Sequence, residues 1–250
     1  MRLVRTGRDT RRDTRRETRR DRGRHARLDA RREAAVVRQA AGLCLHYPDD
    51  AFRARLPLLR AALAEVPGAA SAALLAFLDD IDARDPQELA AHYVAIFDLR
   101  NRRSLYLSWW REGDTRRRGE ALVRFKHVYR LHGREFVGDE LPDFLPAVLE
   151  FTATGAEDAA DAGVALLQEH RPGLELLRLA LADASTPYTR VLEAICATLP
   201  GPSPKDRAEA RALAHAGPPR EEVGLDTYGS LPPAPGGSGF ASPEVDGVAR

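Results

Sequence analysis

The chain has 250 residues, of which 44% are hydrophobic and 30% are charged, and its formal net charge is +1. This length and hydrophobic content allow one domain with a sizeable core, plus extensions. No apolar run reaches the roughly 18 residues that a membrane span needs, and two cysteines are too few for a disulfide framework. We therefore expect a cytoplasmic protein in which Cys44 and Cys196 are reduced, buried thiols.

An arginine-rich tract occupies residues 1–32, where the net charge is +9, against −8 for residues 33–250. Its four-residue repeat of arginine, an acid, threonine and arginine contains almost nothing to bury. The tract is therefore predicted to be a disordered extension or a solvated helix. A translation start near Leu28 or Val36, which would place the tract outside the protein, is a third alternative.

Residues 33–199 carry apolar side chains at helical spacing and no alternating pattern of useful length that would indicate a strand. Asp85 and Pro86 are predicted to cap and open one helix. Pro57 is expected to kink or restart a second helix, and Pro172 to interrupt a third. The clearest apolar stripes lie at residues 36–47, 52–66, 89–97, 122–129, 145–149, 164–167 and 188–199. We therefore predict an all-α fold, a single helical bundle of about eight or nine helices.

Residues 200–250 contain 9 prolines and 8 glycines. This fraction exceeds the one typical of disordered segments. The segment is predicted to be a disordered tail, with a short helix at 205–215 as the one ordered piece that the sequence allows.

The common catalytic and metal-binding motifs are missing from the sequence. It has no glycine-rich phosphate loop, no zinc-protease motif and no nucleophile elbow. His127 and His132 are five residues apart, so they do not share a helix face as zinc ligands would. The chain is therefore predicted not to be an enzyme and to have no catalytic residue, no metal site and no stably bound cofactor.

Aromatic residues form the first two motifs that stand out. Tyr93 and Phe97 lie one helical turn apart, which favours packing in the core. Tyr106, Trp109 and Trp110 belong to an apolar stretch with polar flanks. These three residues either complete the core or line a groove for a partner helix, because aromatic side chains are enriched in both settings.

A cluster of basic residues forms the third motif. Asp114 is predicted to cap a helix whose first turn carries Arg116, Arg117 and Arg118. Three guanidinium groups are unfavourable there, because the N-terminus of a helix already carries positive partial charge. The cluster indicates either a solvated basic face or a contact with an anionic partner.

A proline turn, Glu140-Leu141-Pro142-Asp143, forms the fourth motif. Pro142 fixes the turn, and Asp143 is predicted to cap the helix that begins near Phe144. Two carboxylates can perform acid–base catalysis. Since no nucleophile or metal ligand accompanies them, we favour a role as acceptors for a bound peptide.

Taken in this order, the motifs resemble those of the nitrate reductase delta-subunit family, the NarJ-type chaperones, within a wider group that includes the TorD and DmsD chaperones. The resemblance covers roughly residues 36–199, about two thirds of the chain. Phe144 stands where the family commonly has a histidine. The resemblance rests on Leu45-His46-Tyr47-Pro48-Asp49, Tyr93-x-x-x-Phe97-Asp98, Gly113–Gly119, Ala121-Leu122-Val123, Glu140–Pro146 and Leu149-Glu150-Phe151.

The resemblance implies an all-helical cytoplasmic assembly chaperone. It would bind the N-terminal segment of the catalytic alpha subunit of respiratory nitrate reductase, its client, and keep the apoenzyme open for molybdenum cofactor insertion before membrane docking. Core or groove residues would be Tyr93 and Phe97. The expected client-binding residues are Glu140, Leu141, Pro142, Asp143, Tyr106, Trp109, Trp110, Arg116, Arg117 and Arg118.

Two other functions remain open at this point. One is a generic helical interaction module, which would not need the proline turn and the aromatic stretch together. The other is nucleic-acid binding through the arginine-rich tract. This second alternative is disfavoured, because the tract has no interleaved aromatic residues that could stack on bases.

Overall fold

The structure is a computed structural model that describes residues 7–99, 103–154 and 156–216. Within these ranges the chain forms α-helices and one π-helical turn, and no strand. The all-α prediction is therefore confirmed, with more helices than expected. The helices are α1 (Gly7–Cys44), α2 (Asp50–Ala64), α3 (Ala69–Asp82), α4 (Pro86–Tyr93), α5 (Trp109–Glu112), α6 (Arg116–Leu131), α7 (Leu145–Thr154), α8 (Glu157–Glu169), α9 (Arg171–Asp183), α10 (Tyr188–Ala197) and α11 (Arg207–Ala216), and the π-helical turn is Val94–Asp98.

Three prolines test the prediction that proline starts, kinks or interrupts a helix. Pro86 lies in the first turn of α4, and the Asp85 carboxylate accepts a hydrogen bond from the backbone N–H of Gln87 at 2.8 Å, so the predicted cap is confirmed. Pro172 lies in the first turn of α9, where its missing N–H breaks no helical hydrogen bond. α2 continues through Pro57 without restarting, because the buried leucines on either side hold both halves against the core.

α1 and α10 form the centre of the bundle. α1 packs most extensively against α7 and also contacts α2, α3 and α10, whereas α10 packs against α3, α9 and α1. Gly42 of α1 permits close approach to α7, because an added Cβ would lie 3.4 Å from the Cβ of Leu149. Cys44 and Cys196 are both buried and unpaired, as expected.

α1 begins well before its buried part, since its residues 22–33 are exposed. It is helical from Gly7 onward, so the expected boundary between residues 32 and 33 lies inside a helix. At the end of this exposed stretch, Arg31 forms ion pairs with Glu157 and Asp161, and Arg32 forms one with Glu65. Residues 1–6 lie outside the described residues.

A chain shortened to begin at Glu33 is expected to lose less than about 1 kcal/mol of unfolding free energy, because exposed ion pairs each contribute little. Thermal unfolding followed by circular dichroism would measure the loss. A loss above about 2 kcal/mol would show that residues before Glu33 are part of the cooperative fold.

A buried ion network lies on α9. Glu175 is fully buried and accepts hydrogen bonds from the guanidinium groups of Arg171 at 3.4 Å and Arg178 at 2.8 Å. Both arginines also face the chain beyond α10. Arg171 donates to the carbonyl of Gly201 at 2.9 Å, and Arg178 donates to the carbonyl of Pro204 at 2.6 Å. The network therefore joins α9 to the start of the proline-rich segment.

The chain after this segment returns to α9. α11 packs against α9, and its Ala210 is fully buried in the contact. α11 covers most of the short helix that the sequence allowed at residues 205–215. Residues 217–250, the remainder of the expected disordered tail, lie outside the described residues.

Candidate functional site

Two loops that are distant in the sequence meet beside α6. Residues 104–108 and 142–145 pair through an isolated antiparallel bridge between Tyr106 and Phe144. Two backbone hydrogen bonds, of 2.8 and 3.0 Å, flank the bridge. This pairing fixes the position of the aromatic stretch relative to the proline turn.

Asp143 lies beneath the proline turn and is fully buried. Its Oδ2 accepts hydrogen bonds from the backbone N–H of Ser108 at 3.0 Å and from the Ser108 hydroxyl at 2.5 Å. The prediction that Asp143 caps the next helix is wrong, because its carboxylate is held by the opposite loop. Tyr129 of α6 donates to the carbonyl of Pro142 at 2.7 Å, so the turn is also anchored to α6.

A pocket of about 510 Å³ opens beside this turn, and we refer to it as the turn pocket. It brings together seven of the residues that the sequence singled out, namely Tyr93, Phe97, Tyr106, Trp109, Arg118, Glu140 and Leu141. Asp98, Ser104, Leu105 and Phe144 complete its lining.

The π-helical turn forms one wall of the turn pocket. It continues α4 and carries Phe97 and Asp98. Such turns are rare and often occur at functional sites. The rings of Tyr93 and Phe97 lie 4.9 Å apart, and the Tyr93 hydroxyl donates to the carbonyl of Leu45 at 2.9 Å. Both rings are largely buried, so they belong to the core and also line the pocket.

Tyr106 connects the charged groups of the turn pocket. Its hydroxyl donates a hydrogen bond to the Glu140 carboxylate at 2.5 Å. Burial, together with this hydrogen bond, raises the pKa of Tyr106 to about 12, so the hydroxyl stays protonated at neutral pH. The guanidinium carbon of Arg118 lies 5.6 Å from the ring centroids of both Tyr106 and Trp109.

Five of the expected site residues lie outside the turn pocket: Pro142 and Asp143, which are described above, and Trp110, Arg116 and Arg117. Trp110 points toward α9, where a Cβ added at Gly173 would come within 2.6 Å of it. Arg116 is exposed. Arg117 is also exposed and lines a different pocket, formed with α5 and the end of α8. The three consecutive arginines therefore point in different directions, and Arg118 is the one that lines the turn pocket.

The predicted cap at Asp114 is also wrong. Thr115 occupies the N-cap position of α6, and its hydroxyl donates to the carbonyl of Glu112 at 2.9 Å. The first turn of α6 thus begins one residue later than the sequence suggested.

Sequence reasoning gave no site role to five residues found here, Asp98, Ser104, Leu105, Ser108 and Phe144. Asp98 and Phe144 belong to motifs that carry the resemblance, and Ser104 and Leu105 directly precede Tyr106. Ser108 carried no signal, because its role depends on a hydrogen bond to a residue on another loop.

Across residues 7–99, 103–154 and 156–216, no group of three or more histidine, cysteine, aspartate or glutamate side chains is placed to hold a metal ion. No helix in those ranges combines the length and the apolar character that crossing a bilayer requires.

Comparison with known proteins gives a consistent result. The family model described as "Nitrate reductase delta subunit" matches residues 59–193. That range contains every residue that lines the turn pocket.

Three relatives illustrate the similarity. The nitrate reductase-like protein NarX of Mycobacterium tuberculosis is 38% identical over 163 residues, which are 65% of this chain and 24% of that protein. NarJ of Bacillus subtilis is 30% identical over 161 residues, 64% of this chain and 86% of that protein. The nitrate reductase molybdenum cofactor assembly chaperone NarJ of Escherichia coli is 33% identical over 147 residues, 58% of this chain and 61% of that protein. The chain thus spans about a quarter of the mycobacterial relative.

Proposed function

Because the chain belongs to the nitrate reductase delta-subunit family, we propose that it is an assembly chaperone of a respiratory nitrate reductase. It binds the catalytic alpha subunit and supports insertion of the molybdenum cofactor before the enzyme docks on the membrane. The chaperone works in the cytoplasm, is not an enzyme and holds no cofactor stably. The family match across the whole turn pocket carries this proposal.

The turn pocket is the proposed client site. Its aromatic walls include Tyr106, Trp109 and Phe144, and Leu141 lies exposed at its edge. A groove of this kind holds an amphipathic segment by burying its apolar side chains, and we propose the N-terminal segment of the alpha subunit as that ligand. Each leucine-sized anchor contributes about 1.5–3 kcal/mol. Two or three anchors, less the cost of ordering the peptide, give micromolar to submicromolar binding, which permits release.

The other expected site residues serve this pocket from outside it. Pro142 and Asp143 hold the turn in place from below. Trp110 packs against Gly173 of α9, and its indole N–H donates to the carbonyl of Ser104 at 3.0 Å, so it joins the aromatic stretch to α9. Arg116 and Arg117 lie on an exposed flank, where acidic side chains of a longer client segment would meet them.

Affinity capture from cells respiring nitrate, followed by mass spectrometry, is expected to recover the nitrate reductase catalytic subunit. Leu141→Asp places a charge at the edge of the turn pocket and should reduce recovery about tenfold, the equivalent of about 1.4 kcal/mol. Val123→Asp is the matched control, since Val123 is exposed on α6 and does not line the pocket.

Recovery of ribosomal proteins or nucleic acid without the catalytic subunit would contradict the proposal and favour the arginine-rich tract as the functional element. In cells that lack the chaperone, purified nitrate reductase should contain less molybdenum by elemental analysis. An unchanged molybdenum content would show that the chaperone binds its client without supporting cofactor insertion.

A further inference from the structure

Arg118 fills a cation-binding position inside its own protein. It lies in the first turn of α6, and its guanidinium carbon is 5.6 Å from the ring centroids of both Tyr106 and Trp109. A cation within about 6 Å of an aromatic centroid is attracted by the ring quadrupole. The two rings therefore form a receptor for a positive charge, which the chain itself occupies.

Two carboxylates line the same pocket as these rings. Glu140 is bonded to the Tyr106 hydroxyl, and Asp98 lies on the π-helical wall. Neither carboxylate forms an ion pair with any residue that the structure describes. Among the described residues that line the pocket, Arg118 is the one cation. If its side chain moved out, two aromatic faces and two anions would remain, which is the chemistry that binds a lysine or arginine side chain.

Arg118 is weakly held in this position. Its Nε is buried and has no hydrogen-bond acceptor in the described structure. No carboxylate lies within ion-pair distance of its guanidinium group among the described residues. The N-terminal end of α6 also disfavours a cation, because its backbone N–H groups carry positive partial charge. Moving the guanidinium into solvent would satisfy the buried Nε and give up only the contacts with the two rings.

We propose that Arg118 is a built-in substitute for a basic side chain of the client, and that the client displaces it on binding. The inference rests on the proposed client-binding function of the turn pocket. In the free protein Arg118 occupies the cation position, so a client that brings a lysine or arginine to this position must displace Arg118 and binds with a lowered apparent affinity. The basic side chain then contacts the two rings and the two carboxylates, whereas a purely apolar segment neither displaces Arg118 nor gains these contacts.

The test uses the full chain and a synthetic peptide of about thirty N-terminal residues from the nitrate reductase catalytic subunit of the same organism, long enough for several helical turns. Arg118→Gln should bind this peptide about fivefold more tightly than the wild type in calorimetry, or about 1 kcal/mol. Lys126→Gln is the matched control and should bind like the wild type, because Lys126 is an exposed cation farther along α6 and does not line the turn pocket.

A second peptide, with every lysine and arginine replaced by glutamine, should bind the wild type and Arg118→Gln more weakly and without the fivefold difference. A nuclear magnetic resonance measurement on the wild type avoids any effect of the substitution on folding. The Nε–H resonance of Arg118 should be shifted by the two ring currents in the free protein and should move to its solvent position when the peptide is added.

Weaker or unchanged binding by Arg118→Gln would overturn the inference and make Arg118 a direct client contact or a bystander. A ring-shifted resonance that persists in the complex, or a client segment without lysine or arginine, would overturn it as well. These results leave the proposed function intact as long as the wild type binds the peptide. If neither protein binds it and affinity capture recovers no catalytic subunit, the proposed function fails and the inference fails with it.

Discussion

Replacing Glu175 with alanine is expected to lower the free energy of unfolding by about 3–5 kcal/mol, because it leaves two guanidinium groups without their carboxylate in the interior. The side chain of Glu175 is 0% exposed, and those of Arg171 and Arg178 are 3% and 14% exposed. Backbone carbonyls would remain as partners of both arginines. These neutral acceptors do not balance the two positive charges.

Urea denaturation of the full chain would measure the effect of Glu175→Ala. Asp183→Ala is the matched control on the same helix, because Asp183 forms an exposed ion pair with Arg207 and its loss should cost less than about 0.5 kcal/mol. A loss below about 1 kcal/mol for Glu175→Ala would show that the carbonyls of residues 200–204 alone stabilise the two arginines.

Replacing Asp143 with alanine is expected to lower the free energy of unfolding by about 3 kcal/mol, because hydrogen bonds to a charged group contribute about 1.5–3 kcal/mol each and Asp143 accepts two of them from Ser108. Relief of the buried charge offsets part of the loss. The aromatic stretch would then be held against the proline turn only by the backbone bridge and the hydrogen bond from Tyr106 to Glu140. Client binding should therefore also weaken, by about tenfold or more, a loss above 1.4 kcal/mol.

Asp143→Asn separates the structural role of this residue from a direct contact. Asparagine keeps the shape and one acceptor oxygen but not the charge, so the loss of stability should be smaller than for alanine. Ser108→Ala removes one of the two hydrogen bonds, so its loss of stability should resemble that of Asp143→Asn. Melting curves and peptide titrations should rank the three variants in the same order. If Asp143→Asn melted like the wild type and still lost most of its binding, the carboxylate would have to contact the client.

Helical periodicity was sufficient to predict the all-α fold, because the spacing of apolar residues along one helix face is a local property. The cap at Asp85 followed from the same kind of local rule and was correct. The caps predicted at Asp114 and Asp143 obeyed the rule equally well and were wrong. In the case of Asp143, the Ser108 hydroxyl and backbone N–H bind the carboxylate instead. Ser108, which is distant in the sequence, replaces the local helix N-terminus as the partner of Asp143. No residue near Asp143 in the sequence indicates this contact.

In the candidate site too, the sequence predicted local features and missed those that depend on distant segments. The motif order singled out Tyr93, Tyr106 and Glu140, and the structure brings all three to one pocket. The sequence did not distinguish Trp109 from Trp110, although the second points toward Gly173 rather than into the turn pocket. Which way each indole faces depends on the bridge between the two loops, and bridges between distant segments leave no periodic signal.

The proline-rich segment after α10 illustrates a limit of structure prediction from amino-acid composition. Proline lacks a backbone donor, but its carbonyl remains a full acceptor. The buried arginines of α9 use such acceptors at Pro200 and Pro204. A count of prolines and glycines therefore indicates that a segment cannot build its own helix or strand, and it does not indicate whether another element can bind that segment.

The bridge between Tyr106 and Phe144 is made by backbone atoms alone, and this has an evolutionary consequence. Substitutions that preserve these backbone hydrogen bonds leave the spacing of the two paired backbone segments unchanged. A lineage can therefore exchange aromatic, apolar and charged residues along these walls in step with changes in the client. Recognition can diverge between relatives one side chain at a time, with the frame of the pocket inherited intact.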